Sequence, residues 1–510
     1  MTFTRRNVWD LGSEWADPIL WYARGVAGMK ERALAEPTSW RFYAGIHGFN
    51  APLWRQLGYL SSSDQPPSSA LVKQFWAQCQ HGSWYFLPWH RGYVLALEAN
   101  IRAIVTQLGG PADWALPYWN YFKRGESALP PAFASEDWPD GQGNNPLFVG
   151  PRYGPNGDGD VFVPLHDVDL LAMSDPDFTG VSSGGSPGFG GVDTGFSHGG
   201  RVHGGIETQP HDWVHGLVGG AENNNQNRPG AMSVPDSAAL DPIFWLHHAN
   251  IDRLWESWNS TNPPHLDPTD PSWVNGPGSV GQRTFVMPMP DGSDWTYTPG
   301  DMIDLKTLGY QYDSLTPGAT RRSHRRRLEM LGIAPAEGEQ AVPTGSNVEL
   351  VGATAGSVAI QGSEVHSDVQ LDSGMRRKVT ESLAPAGDAI AGPAAPDRVF
   401  LNLENVRGTT DAAAFRVYVG LAPGAKPADH PEQLAGSIAP FGLAKASAAD
   451  EEHSGQGLTF VLDITDIVDR LHLSNSFDVD SLPVRIVPVH PIPDETPITV
   501  GRISIFRQGR

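Results

Sequence analysis

Ten of the chain's 17 histidines lie between His47 and His248, at spacings suited to holding metal ions. His211 and His215, in PHDWVH, stand four apart, so a helix brings both imidazoles to one face where they can grip one ion. The residues between them are Asp-Trp-Val, without the glutamate of an HExxH zinc hydrolase, which counts against that chemistry. His247 and His248 sit in FWLHHANI, an otherwise apolar helical run in which two imidazoles are costly unless something satisfies them. Adjacent helical positions point about 100° apart, so one of the two is expected to reach an ion shared with His211 and His215. Asp252, one turn beyond His248, is expected to orient a ligand imidazole. His81 and His90 would face opposite ways on one continuous helix, and a break at Pro88 removes that difficulty. With His47, in FYAGIHGFN, they make a second set of three. Six neutral imidazoles with no carboxylate among them favour copper over magnesium, calcium or non-haem iron, and leave zinc open on ligand type.

These side chains need rigid supports, and the sequence supplies helices. Segment 69–108 carries apolar residues at helical spacing on both sides of Pro88, which predicts two helices with a break between them. Residues 240–258 form an amphipathic helix opened by Asp241-Pro242, and a further helix starts just after Pro210. Stretches 139–160 and 179–205 are crowded with Gly, Pro, Asp and Asn and read as loops. Beyond them the character changes. All 17 tryptophans lie between Trp9 and Trp295. After that, RVFLNLENV (398–406), FRVYVGL (415–421), LTFVLDI (458–464) and ITVGRISIFR (498–507) alternate in the β pattern and suggest an antiparallel sandwich or barrel. The expected organisation is a mainly α domain over 1–315, a linker over 316–345, and a smaller all-β domain over 346–510. The linker contains TRRSHRRR and then Pro, Gly and Ala, and reads as an exposed, protease-sensitive connection.

Composition narrows the function classes. With 36 Lys+Arg against 57 Asp+Glu, the net charge of −21 argues against nucleic acid or an anionic membrane as a partner. Cys79 is the single cysteine, so an internal disulfide and a thiolate metal cluster are both ruled out. No secretory signal or spanning run is visible, which gives a cytoplasmic expectation unless a partner protein carries the chain out. Oligomeric state is not readable.

HGSWYFLPWHRGYVLALE and DPIFWLHHANIDRLW resemble the two copper-binding signatures of the tyrosinase, polyphenol oxidase and hemocyanin group. The resemblance covers roughly residues 1–315. It implies a four-helix bundle holding a type-3 pair of copper ions, with dioxygen as co-substrate and a small phenol as substrate. By that resemblance the first copper takes His47, His81 and His90, and the second takes His211, His215 and His248. Tyr310 and Tyr312 resemble the Tyr-x-Tyr motif that closes the family's catalytic domain, and Arg5-Arg6 resembles its start.

The resemblance gives other residues roles. Cys79, two before His81, matches fungal members in which this cysteine is joined to the histidine by a thioether; a small buried hydrophobe is the alternative. Glu207 stands four before His211, where family members hold a water used to deprotonate monophenols. Its usual partner Asn is here Asp212, which can serve as a base or simply favour a helix start. Pro235 aligns with a Phe that overhangs the copper in plant enzymes, implying a more open entrance. HPEQLAGSIAPFGL (430–443) is similar to the covering loop of latent polyphenol oxidases, making Ile438, Phe441 or Leu443 the candidate plug. The implied function is oxidation of phenols and o-diphenols to o-quinones, latent until the C-terminal domain is removed or displaced. An o-aminophenol oxidase, a hemocyanin-like dioxygen carrier and a zinc hydrolase are the alternatives.

Overall fold

The computed structural model describes residues 2–141, 143–316, 324–333, 347–383, 396–449, 454–477 and 479–509. The N-terminal part is helical. Its main elements are α1 (Asp17–Lys30), α2 (Trp40–His47), α3 (Phe86–Gln107), α4 (Trp213–Gly219) and α5 (Pro242–Asn259). Helix α3 is the central rod, buried along most of its length and packed against both α1 and α5. Gly25 and Gly28 let α1 come close: a Cβ on Gly25 would stand 2.6 Å from the Ile101 side chain and one on Gly28 3.0 Å from Ile104. Nine tryptophans, among them Trp40, Trp89, Trp213, Trp245 and Trp258, are fully buried in this domain.

Pro88 does not break a helix. It falls in the first turn of α3, where its missing N–H has no intrahelical partner to lose. The interruption lies earlier, between the short helix Ser69–Phe75 and Phe86, and His81 sits in that irregular stretch. The expected helix after Pro210 is also more complex. Glu207–Asp212 form a wide π-type turn that runs into α4, so His211 precedes the regular helix that carries His215.

The two ends of the helical domain are tied together. Strand β1 (Phe3–Arg5) pairs in parallel with β2 (Tyr310–Tyr312). Buried Arg5 reaches Glu98 on α3 at 2.5 Å and Asp252 on α5 at 3.0 Å, and lies 4.1 Å from the centre of the Tyr310 ring. Asp252 also accepts from Arg91, Tyr310 and Tyr312. It is therefore a structural counter-charge for two buried arginines rather than an orienting group for a histidine, and their charges hold its carboxyl below the usual range against the effect of burial.

The C-terminal part is β-rich. One antiparallel sheet contains β3 (Asn347–Ala353), β4 (Val365–Leu371), β5 (Arg398–Val406), β6 (Phe415–Val419), β7 (Leu434–Ile438), β8 (Leu458–Asp463), β9 (Ser481–Pro488) and β10 (Arg502–Gly509). Its order is β7-β6-β9-β4-β3-β10-β5-β8. The edge strands approach each other, with Gly436 of β7 against Leu462 of β8, so the sheet curls towards a barrel. It is not all-β: helices Ser373–Leu383 and Thr465–Leu473 pack on the sheet, and α6 (Leu443–Ser447) follows β7. Their apolar residues at helical spacing, such as Ile467 and Val468, join the core of this part.

Of the linker expected over 316–345, residues 317–323 and 334–345 lie outside the described residues, and with them most of the expected cleavage region. Between them, helix His324–Met330 carries Arg327, whose guanidinium pairs with Asp469 at 2.7 and 3.0 Å. Leu328, Leu331 and Ile333 pack into the C-terminal core, so this stretch is docked rather than exposed. Among the described residues no helix is long and apolar enough to cross a membrane.

Candidate metal centre

The helices bring two groups of buried histidines together. His47 ends α2, His81 comes from the irregular stretch, and His90 lies two residues after Pro88 on α3; with Cys79 their donor atoms fall within 4.8 Å of one another. His211, His215, His247 and His248 form the second group within the same limit. The groups abut: the rings of His90 and His248 stack at 4.4 Å, and those of His81 and His211 are 5.7 Å apart. His248 faces His215, Nε2 to Nε2 at 3.4 Å, and stacks on the first group. His247, also fully buried, has Nδ1 3.2 Å from the Tyr121 hydroxyl.

The hydrogen bonds define which ring nitrogen is free. His47 donates from Nδ1 to the Pro235 carbonyl at 2.8 Å, His90 to the Phe86 carbonyl at 2.8 Å, and His215 to the Met232 carbonyl at 2.9 Å. A carbonyl can only accept, so the proton sits on Nδ1 and Nε2 keeps its lone pair. Nε2 of His47 and of His211 is buried with no hydrogen-bond partner among the described residues. Burial also keeps the rings neutral, holding His47 at about 3 and lowering His81, His90, His211, His215 and His248. Neutral imidazoles with unsatisfied, converging lone pairs in an apolar cage are costly in isolation and fit a pair of metal ions.

Cys79 lies beside this group. Its Sγ is 3.4 and 3.6 Å from the two nitrogens of His81 and 3.4 Å from Nε2 of His90. Burial pushes the thiol up, which works against a thiolate ligand.

Glu207 and Asp212 join a residue the sequence reading passed over, His203. Its Nδ1 donates to Asp212 Oδ2 at 2.7 Å, while Asp212 Oδ1 accepts from His211 Nδ1 at 2.9 Å. Glu207 accepts from the Gly82 amide at 2.9 Å and lies 3.7 Å from His203. All three are buried. Burial opposes a charge on His203, yet Glu207 and Asp212 outweigh it and bring the ring to about 9; burial raises Glu207 to about 8 against the pull of His203. The four-residue spacing from His203 to Glu207 was the available signal. Asp212 caps no backbone amide of α4; its carboxylate is spent on the two imidazoles.

The C-terminal part covers the centre. The Phe441 ring stacks on His215 at 4.3 Å and 25°, and lies 5.5 Å from His81 and 5.6 Å from His211. Ile438 and Leu443 instead point into the C-terminal core. Pro235 is buried, its carbonyl holding His47 and its ring facing Gly442 of the covering segment. Around this contact the two parts are joined by Arg416 on Asp167 at 2.6 and 2.7 Å, Arg398 on Asp175 at 3.1 Å, Lys445 on Asp236 at 3.1 Å, and a backbone bridge between Val202 and Thr459.

A helical domain brings two abutting groups of buried histidines together, and a β-rich domain covers them. The family described as "Common central domain of tyrosinase" matches residues 37–156 and 182–261, and one described as "Domain of unknown function (DUF7868)" matches 347–508. The chain is 31% identical to tyrosinase HcTyr1 of Hahella sp. (strain CCB-MM4) over 516 residues, covering 99% of both chains. It is 28% identical to the chloroplastic polyphenol oxidase E of Solanum lycopersicum over 272 residues, covering 50% of this chain and 43% of that protein. The chain belongs to the tyrosinase family. In fold it is similar to latent apple tyrosinase (MdPPO1), with a TM-score of 0.59 at 20% identity, covering 99% of this chain and 97% of that one. A recombinantly expressed latent aurone synthase (polyphenol oxidase) gives 0.57 at 20% identity over 100% and 90%.

Proposed function

We propose that the chain is a copper-dependent oxidase of o-diphenols and phenols, kept latent by its own C-terminal domain. His47, His81 and His90 would hold one copper, and His211, His215 and His248 the other. When bound, the copper pair supplies the electron exchange by which dioxygen is reduced and an o-diphenol becomes its o-quinone. The chain's residues set the conditions for this. Backbone carbonyls orient the imidazoles of His47, His90 and His215, and Phe86, Phe244 and Trp89 keep the surroundings apolar. Hydroxylating a monophenol needs a base free to take the phenolic proton. Both oxygens of Asp212 are engaged by imidazoles, both oxygens of Glu207 accept from the Gly82 amide, and burial raises the Glu207 carboxyl towards its protonated form, so neither is a ready base and the reading leans towards diphenol oxidation.

The observation that carries the latency is the Phe441 ring lying on histidines of both groups, where a phenol ring would have to stand. The test is to load the protein with copper, count the ions, and follow catechol oxidation before and after protease treatment. Two coppers per chain and a rise in quinone formation on treatment are expected. Copper-loaded protein that leaves catechol unoxidised after removal of the covering domain would refute the reading.

A further inference from the structure

Three histidines of the candidate centre have Nδ1 fixed by backbone carbonyls, which the fold holds in place. His211 is different: its Nδ1 donates to a side chain, the carboxylate of Asp212. A carboxylate can rotate away, so on its own it is a weaker guide for the ring. Here its second oxygen is gripped by His203 at 2.7 Å, and the three side chains form one buried line, His203–Asp212–His211. His203 is itself seated from two sides. The Thr459 amide donates to the Arg201 carbonyl at 2.7 Å and Val202 bridges Thr459, which fixes the backbone beside it. On the other side its ring stacks over that of His81 at 6.3 Å.

We propose that His203 is a positioning residue for the second metal: by holding Asp212 Oδ2 it keeps Oδ1 on His211 Nδ1, and so fixes the tautomer and direction in which His211 offers Nε2. Without this donor a buried carboxylate oxygen is left unsatisfied, and nothing on that side holds the other oxygen on His211. His211 is then free to rotate or to carry its proton on Nε2, and in either case it no longer presents a lone pair to the ion. Partners of this kind are worth roughly 10–100-fold in metal affinity.

The inference rests on the reading of the histidine groups as copper sites, and the experiment separates the two. Full-length wild type, His203→Ala, His203→Asn and His203→Gln are loaded with copper, dialysed against graded concentrations of a chelator, and analysed for copper per chain and for apo-protein melting. An asparagine amide places an N–H where the histidine Nδ1 stood; a glutamine amide reaches the Nε2 position instead. Wild type holding two coppers, His203→Ala and His203→Gln losing one of them at roughly 10–100-fold lower chelator, and His203→Asn keeping both is the expected pattern. If His203→Ala does not fold, the contrast between Asn and Gln decides. Equal retention in all variants, or Asn as weak as Gln, overturns the role of His203. Wild type failing to hold two coppers overturns the copper reading itself.

Discussion

Replacing Phe441 with alanine separates plugging from docking. The ring is 2% exposed and rests on His215, His81 and His211, while the ion pairs Arg416–Asp167, Arg398–Asp175 and Lys445–Asp236 lie elsewhere on the interface. Removing a buried phenyl costs about 3 kcal/mol, at the lower end of Phe→Ala truncations. Most of that loss falls on the covered state, because only there is the ring packed against the histidines. A 3 kcal/mol change moves the covered-to-open ratio by roughly a hundredfold. The alanine also leaves a ring-sized gap above the histidines while the domain stays docked. Initial quinone formation from catechol by intact, copper-loaded Phe441→Ala should therefore exceed that of intact wild type by at least about tenfold, even if part of the change is lost to repacking. Equal copper content, measured by elemental analysis, makes the rates comparable. Protease treatment should add less to the variant than to wild type. An intact variant as slow as intact wild type, with both activated equally by removal of the C-terminal domain, would show that another element closes the site.

Cutting only the connection between 316 and 345 is expected to leave the fragments associated and catechol oxidation low, since the bidentate Arg416–Asp167 pair, the Val202–Thr459 bridge and Phe441 all persist, so the rise on protease treatment should follow digestion of the C-terminal domain itself; separate elution on size exclusion without denaturant would contradict this. With Cys79 Sγ 3.4 and 3.6 Å from the two ring nitrogens of His81, copper-loaded protein exposed to air should yield the one peptide that holds both residues two hydrogens lighter by mass spectrometry, a loss absent in Cys79→Ser; that peptide at its unmodified mass would rule the thioether out. Burial raises Asp411 to about 7, beside the Ala444 amide at the start of the covering helix α6. Its folded pKa lies above the unfolded value, so the folded state binds the extra proton and stability should fall as pH rises from about 4 to 7. Asp411→Asn should flatten that part of the melting-temperature profile, and an unchanged slope would remove Asp411 from the account.

The histidine types and spacings, the aromatic helical half and the alternating second half are local properties of the chain, and they were legible because helical and strand periods impose them on the residues themselves. The angle of about 100° between neighbouring helical positions gives His247 and His248 different partners, Tyr121 for the first and His215 and His90 for the second. The misreadings have different causes. Pro88 sits in a first turn rather than at a break, a matter of where the helix starts, whereas Asp252 neutralises Arg5 and Arg91 rather than orienting a histidine because those partners come from residues far along the chain. Residue types alone do not specify such partners. Two covalent neighbours, Asp212 and His211, become part of one line with His203 only when the loop before Glu207 folds back over them. The plug shows the same division. The segment 430–443 was recognisable by its similarity to a covering loop, but choosing Phe441 over Ile438 and Leu443 required knowing which side chains the curled sheet keeps for its own core. The sequence determined which chemistry the chain could carry and roughly where. The tertiary structure decided which donors stay free, which carboxylate is already spent, and which ring lies over the histidines, because no helical or strand period sets these meetings: Phe441 reaches His215 and the Pro235 carbonyl reaches His47 from more than 100 residues away, and His203 reaches Asp212 through a folded loop.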